Sequence, residues 1–217
     1  MSKKLFMSLF FSSVMLFSTI TVTAQTDIEP NEADKRMNVP KQVKVDLAQG
    51  EKTERTKREN ENYRDGLAAY ITSVNGSVSD EEAAEIVSSV IDSAEKYDVD
   101  EKLVMAIAHT ESTYYPDAVS HADFKGIMQT SDLLAREAGY SADELFDPSV
   151  SIDVGTSYID EKLDEFGDTR LALTAYNQGA GTVYSGRYST GYSDLAMARM
   201  EAMEAFLHEN GYVNVYN

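Results

Sequence analysis

Residues 101–129 read EKLVMAIAHTESTYYPDAVSHADFKGIMQ. Leu103, Ile107 and Glu111 fall at i, i+4 and i+8, with Val104 adjoining. That spacing makes an amphipathic helix and puts Glu111 on its apolar stripe rather than its wet face. A loop of small polar and aromatic residues follows and closes on Gly-Ile-Met-Gln. A carboxyl at the edge of an apolar stripe, near a helix C-terminus, is disfavoured as an anion twice over. The helix dipole opposes the charge, and so does desolvation. Both raise its pKa. A carboxylic acid still protonated near neutral pH is what a general acid at a glycosidic oxygen has to be. The other reading is a helix that simply frays outward at a polar residue. The local pattern leaves both open.

The same periodicity extends to either side. Ser79 and Glu82 form a capping-box pattern before EEAAEIVSSVIDSAEKY, and Asp98 with Glu101 repeats that signal before the Glu111 helix. A short helix is expected from Tyr63, and others over about 131–138, 150–166, 169–177 and 193–209. Gly167 and the Asn177/Gly179 pair read as C-terminal stops. Met197, Met200, Met203 and Leu207 make a core stripe at helical spacing. No segment sustains the alternation of a β-strand, so residues 62–217 are expected to form an all-α domain.

Residues 25–61 are polar and poor in aromatics, and EKTERTKRENEN has no apolar face to bury. They read as a disordered or weakly helical linker, with order beginning near Tyr63. Residues 1–24 begin with Lys3 and Lys4, continue apolar to about Val22, and end on Val22-Thr23-Ala24. This is a secretory-signal pattern with cleavage after Ala24, which places the protein outside the cell or in its envelope. An uncleaved N-terminal membrane anchor is the competing reading, because the run is nearly long enough to span.

Among the 217 residues there is no cysteine, which excludes disulfides, thiolate metal sites and cysteine nucleophiles. No HExxH or Walker pattern occurs, so neither metal nor cofactor is expected. His109 and His121 read as structural or exposed, and His208 as a surface residue. Charge is unevenly placed. Residues 25–61 carry nine acidic and eight basic side chains, and residues 62–217 carry 28 acidic and nine basic ones. Such a domain repels nucleic acid and anionic membranes, so an uncharged or mixed-charge substrate is expected.

The stretch after Glu111 resembles the soluble-type (SLT) lytic transglycosylases, which share the goose-type lysozyme fold. The resemblance rests on Glu111-Ser112, Tyr114 with Tyr115, Pro116, Ala118, Ser120 and Gly126-Ile127-Met128-Gln129. A second block follows as Ala175-Tyr176-Asn177-Gln178-Gly179-Ala180-Gly181. Between them LFDPSVSIDVGTSYI is similar to a family helix that carries a glycine and a tyrosine. The likeness covers roughly residues 84–185. It implies a lysozyme-like helical fold with a substrate cleft, and peptidoglycan glycan strands as the partner. Cell-envelope machinery is a further candidate partner, and a monomer is expected.

By the same resemblance Glu111 is the catalytic acid. It would protonate the β-1,4 oxygen between N-acetylmuramic acid and N-acetylglucosamine, then take the proton of the muramoyl 6-hydroxyl as a 1,6-anhydro ring closes. No water enters, so no second carboxylate is required. Asp117, Asp123 and Asp132 are near in sequence, and one of them across the cleft would permit hydrolysis, as in a muramidase. The resemblance makes Ser120, Met128, Gln129, Tyr176 and Asn177 the substrate-binding set. Ser120 and Gln129 would bond the saccharide, Met128 would form an adaptable wall, and the Tyr176 hydroxyl would orient Glu111. The structural alternatives are a core Met128, a packed Tyr176 and a capping Asn177.

The chain departs from the family pattern in places. Ile127 replaces leucine, no proline follows Gln129, Ala122 stands where some members have a second serine, and Ser151 replaces an asparagine. Phe124-Lys125 is bulkier than usual, and the last helix matches no family pattern. A non-catalytic wall-binding or assembly module with the same fold is the alternative outside enzymes.

Overall fold

A computed structural model describes residues 41–212; the signal and anchor readings of residues 1–24 lie outside them. Eight α-helices follow in order: α1 (Lys41–Val74), α2 (Asp80–Tyr97), α3 (Glu101–Ser112), α4 (Asp132–Glu137), α5 (Pro148–Phe166), α6 (Thr169–Gln178), α7 (Ala180–Tyr184) and α8 (Gly191–Glu209). A 3-10 turn, Ala142–Phe146, precedes α5. The described residues hold no strand, only single antiparallel bridges from Val119 to Lys125 and from Lys125 to Thr130. The all-α expectation therefore holds.

The helix boundaries follow local chemistry. Ser79 and Glu82 form the expected capping box at the start of α2. The cap of α3 falls on Asp100 rather than Asp98, with its side chain accepting from the Lys102 N–H at 2.8 Å. Asp98 instead takes a left-handed conformation, φ 54°, and closes α2. The link between the two helices is too short for one aspartate to serve both ends. Gly167 ends α5 at φ 62° and Gly179 ends α6. Asn177 lies inside α6 and caps nothing.

Order does not begin at Tyr63. The short helix expected there is the last part of α1, which starts at Lys41. Residues 52–58 are exposed, and Tyr63 is buried. Over residues 52–58 α1 is therefore helical without a buried face, held by its own i→i+4 bonds and by surface pairs such as Arg55–Glu59.

From Tyr63 onward the chain is built around α3. Leu103, Val104, Met105, Ile107 and Ala108 are buried and join a core drawn from α1, α2, α5, α6 and α8. α3 packs on α2 and α8, while α5 bridges α2 and α6. Met203 and Leu207, with Ala196, supply the α8 part of that core, and Met197 packs against it; Met200 of the expected stripe is only half-buried and stays outside it. The N-terminal end of α3 is tied from outside, by the Tyr63 hydroxyl to Glu101 Oε1 at 2.8 Å and by Lys102 to Glu204 on α8 at 2.7 Å. Its C-terminal end carries Glu111, half-buried at the margin of the core.

Candidate active site

The chain leaves α3 sharply. Thr113 and Tyr114 are consecutive left-handed residues at φ 54° and 62°. Neither is a glycine, so the turn is costly in isolation and has to be held from outside. Asn75 at the end of α1 donates to the Thr113 carbonyl at 2.8 Å, and the buried Tyr114 hydroxyl donates to the Met105 carbonyl at 3.0 Å. Ser112 donates to the Ile127 carbonyl at 2.8 Å and ties the helix end to the far side of the loop.

Two glycines let the loop lie close to the rest of the domain. Gly126 has φ 74°, and a Cβ there would meet the Leu145 carbonyl at 2.0 Å. Gly155 lies under Met128, whose own Cβ would be 2.6 Å from any added one. Ser151 Oγ accepts from the Met128 N–H at 3.1 Å. The glycine of Gly-Ile-Met-Gln and that of the α5 block therefore serve one close approach between loop and helix.

Glu111, Ser120, Phe124, Gln129, Tyr176 and Asn177 line one cleft of about 100 Å³. Four of the five expected substrate contacts are thus brought to Glu111. Met128 is not: it is fully buried in the core beside Ile127. It packs on Gly155 and is not among the residues that line the cleft. Ser120 Oγ accepts from the N–H groups of Ala122 and Phe124, which leaves its own proton for a ligand. Gln129 Nε2 donates to the Ala118 and Gly126 carbonyls, so the side-chain oxygen is the part left to accept. Asn177 is exposed at the rim.

Tyr176 does not orient the acid. Its hydroxyl donates to the Met128 carbonyl at 2.9 Å. The hydroxyl that reaches Glu111 belongs to Tyr192, in the first turn of α8, which donates to Oε1 at 2.6 Å. Sequence reasoning missed Tyr192, and no local pattern marks it. The only cue was a tyrosine just ahead of the helix expected over 193–209. The same helix holds the end of α3 again, through Arg199, whose guanidinium donates to the His109 carbonyl. His109 is structural as expected, partly buried between the rings of Tyr70 and Tyr114. His121 and His208 are exposed.

Burial pushes the Glu111 carboxyl from 4.5 up to about 7, and the Tyr192 hydrogen bond opposes that rise. No cation pairs with it among the described residues. The three aspartates near in sequence do not supply a second acid to this cleft. Asp123 and Asp132 pair with Lys125 at 3.2 and 2.6 Å. Asp117 lines a separate hollow with Tyr115 and Pro148. Glu111 is the one carboxyl lining its cleft. No group of acids or histidines that could hold a metal occurs among the described residues.

Residues 88–194 match the family described as the transglycosylase SLT domain. The chain carries an SLT domain. The match runs from within α2 to the first turn of α8 and so takes in Glu111, the loop, the α6 block and Tyr192. Curated relatives agree. The membrane-bound lytic murein transglycosylase C of Klebsiella pneumoniae is 40% identical over 121 residues, covering 48% of this chain and 34% of that protein. The protein of the same name in Salmonella arizonae is 39% identical over the same length. The chain therefore spans about a third of the length of the curated relatives it matches. Among solved structures, the 70 kDa soluble lytic transglycosylase of Escherichia coli has a TM-score of 0.49 at 22% identity, covering 64% of this chain and 29% of that one.

Proposed function

We propose that the protein is a peptidoglycan lytic transglycosylase of the cell envelope, with Glu111 as its one catalytic carboxyl. It cleaves the β-1,4 bond between N-acetylmuramic acid and N-acetylglucosamine. The observation that carries this is a single carboxyl in the cleft, desolvated and held protonated to about pH 7.

In its neutral form Glu111 gives its proton to the glycosidic oxygen as the bond from that oxygen to the muramoyl C1 breaks. The resulting carboxylate takes the proton of the muramoyl 6-hydroxyl while O6 bonds to C1. One group thus acts as acid and then base, and the acid form is restored when the anhydro ring closes. Tyr192 suits both halves, because its donated hydrogen bond steadies the transient carboxylate. Hydrolysis by an inverting pair needs a second carboxyl about 6.5–9.5 Å away to activate water. Asp117, Asp123 and Asp132 do not line the cleft. Ser120, Gln129 and Asn177 are the contacts proposed for the saccharide, and residues 25–61 are proposed to be dispensable for the chemistry. A chain beginning at Asn62 should keep turnover on soluble glycan strands, measured by release of fragments.

Digestion of purified peptidoglycan, with products weighed by mass spectrometry, tests the reading. Anhydro ends are lighter by one water than hydrolytic ends. Hydrated reducing ends would make the protein a muramidase. Binding without turnover would make it a wall-binding module.

A further inference from the structure

Tyr114, Ile127 and Met128 of the loop reach the core, whereas Tyr115, Val119 and Phe124 are exposed. Of those three only Phe124, 41% exposed, stands at the Glu111 cleft. It lines the Glu111 cleft and also an adjoining hollow of about 430 Å³. Leu133, 58% exposed, Tyr158, Asn177 and Gln178 line that second hollow. The ring therefore stands where the two meet.

Its backbone is held. The Phe124 N–H donates to Ser120 Oγ at 3.1 Å, and its carbonyl accepts from the Ser120 N–H at 2.9 Å. The next residue exchanges both backbone bonds with Thr130, at 3.0 and 3.1 Å, and its amine is anchored to Asp123 and Asp132. Phe124 is thus an apolar ring carried on a braced loop, with much of its surface left in water. Leaving such area exposed forgoes the stabilisation that burial would bring, and exposed apolar surface at a cleft marks a binding site. A lining of an aromatic face, an aliphatic side chain and side-chain amides suits a ring with apolar faces and polar edges. A pyranose has that shape, with C–H groups on its faces and hydroxyl and acetamido groups around its rim.

We infer that Phe124 is a specificity-determining platform, on which the sugar next to the cleaved bond stacks as the glycan strand passes from the Glu111 cleft into the adjoining hollow. The inference rests on the glycan-cleaving function proposed above. The bulkier residue that distinguishes this chain from the family pattern then adds grip rather than merely narrowing the cleft. Lys125, the other departure at this point, does not recharge the cleft, because its amine is anchored to the two aspartates.

The test uses the full chain and isolated, peptide-free glycan strands. Turnover is measured for wild type, Phe124→Ala, Phe124→Leu and Phe124→Tyr, and strand binding for the same changes on a Glu111→Gln background. Phe124→Ala should raise KM and the strand Kd about tenfold. kcat and the alkaline limb of the pH profile should stay in place. Phe124→Tyr should stay within about twofold of wild type, because it keeps the aromatic face. Phe124→Leu should behave like Phe124→Ala, because it restores apolar area without a face. Wild-type affinity in Phe124→Ala, full rescue by Phe124→Leu, or a loss confined to kcat would each overturn the inference. Absence of both strand binding and turnover in wild type would instead defeat the proposed function, so the two failures read differently.

Discussion

Glu111 and Lys125 stand at either side of one loop, and their charges are handled in opposite ways. Lys125 keeps its ammonium beside two carboxylates, and the hydrogen bond to Asp132 raises its pKa further. Glu111 has a neutral phenol for a partner and an apolar surround, and burial raises its pKa to about 7. A paired charge of the first kind fixes a loop and stays ionised at any working pH. A carboxyl of the second kind sits near the point where it can both give and take a proton. The difference separates a brace from a reactive group, although both residues carry titratable side chains in the same short segment.

The largest expected effect breaks the reactive side outright. Glu111→Gln keeps the size of the side chain but cannot cycle a proton. Turnover on peptidoglycan should fall by at least about 10²–10⁴-fold with circular dichroism unchanged. Near-normal activity in a folded variant would remove Glu111 from the mechanism. The same substitution reports on stability. The folded pKa of Glu111 lies above its ordinary value of 4.5, so ionising it weakens the fold as pH rises from about 4.5 through about 7. Glu111→Gln should therefore melt higher than wild type above pH 7, and that advantage should vanish below about pH 4.5.

Tyr192→Phe sharpens the comparison. The phenol donates to the carboxylate and so favours the ionised form. Without it the Glu111 pKa should rise beyond about 7, and the alkaline limb of activity should move up by about one pH unit. kcat should drop several-fold below that limb as the acid loses its orientation. A limb that moves down would show that Tyr192 does not stabilise the carboxylate.

Lys125→Met tests the brace. Solvent-screened pairs of this kind contribute little, so melting should fall by only about 1–3 °C. The alkaline limb should not move, because Lys125 does not figure in the environment that shifts Glu111. A shifted limb would join the two regions that the structure keeps apart.

The smallest expected effect is none. A strongly anionic domain suggests that neighbouring acids tune Glu111 by repulsion, with salt reversing the shift. The structure opposes that, since burial alone raises its pKa and Asp117, Asp123 and Asp132 do not line the cleft. Asp117→Asn, and a rise in ionic strength from low to physiological, should leave the alkaline limb within about 0.2 pH units. A clear salt shift would restore long-range repulsion as a cause.

Several features were legible from residues alone because they are set by near neighbours in the chain. The 3.6-residue periodicity of Leu103, Ile107 and Glu111 defines the buried face of α3 wherever that helix packs. The capping box at Ser79 and the glycine after Phe166 act within one turn, so the all-α class and the place of Glu111 at a helix end follow without tertiary information. Residues 52–58 of α1 were harder to read, because a helical stretch with no buried face carries no periodic signal. The cap at Asp100 was misplaced by two residues for want of the turn geometry between α2 and α3.

What tertiary structure alone decided involves partners far apart in sequence. Tyr192 meets Glu111 across 81 residues, and Tyr176, 48 residues from Met128, spends its hydroxyl on that carbonyl. Met128 is core because Gly155 removes the Cβ that would have pushed it outward. The proton affinity of Glu111 belongs to the same class. Helical spacing can place a carboxyl on the apolar side, but its pKa depends on how completely the other helices and the loop exclude water from it, and that is a property of the assembled fold.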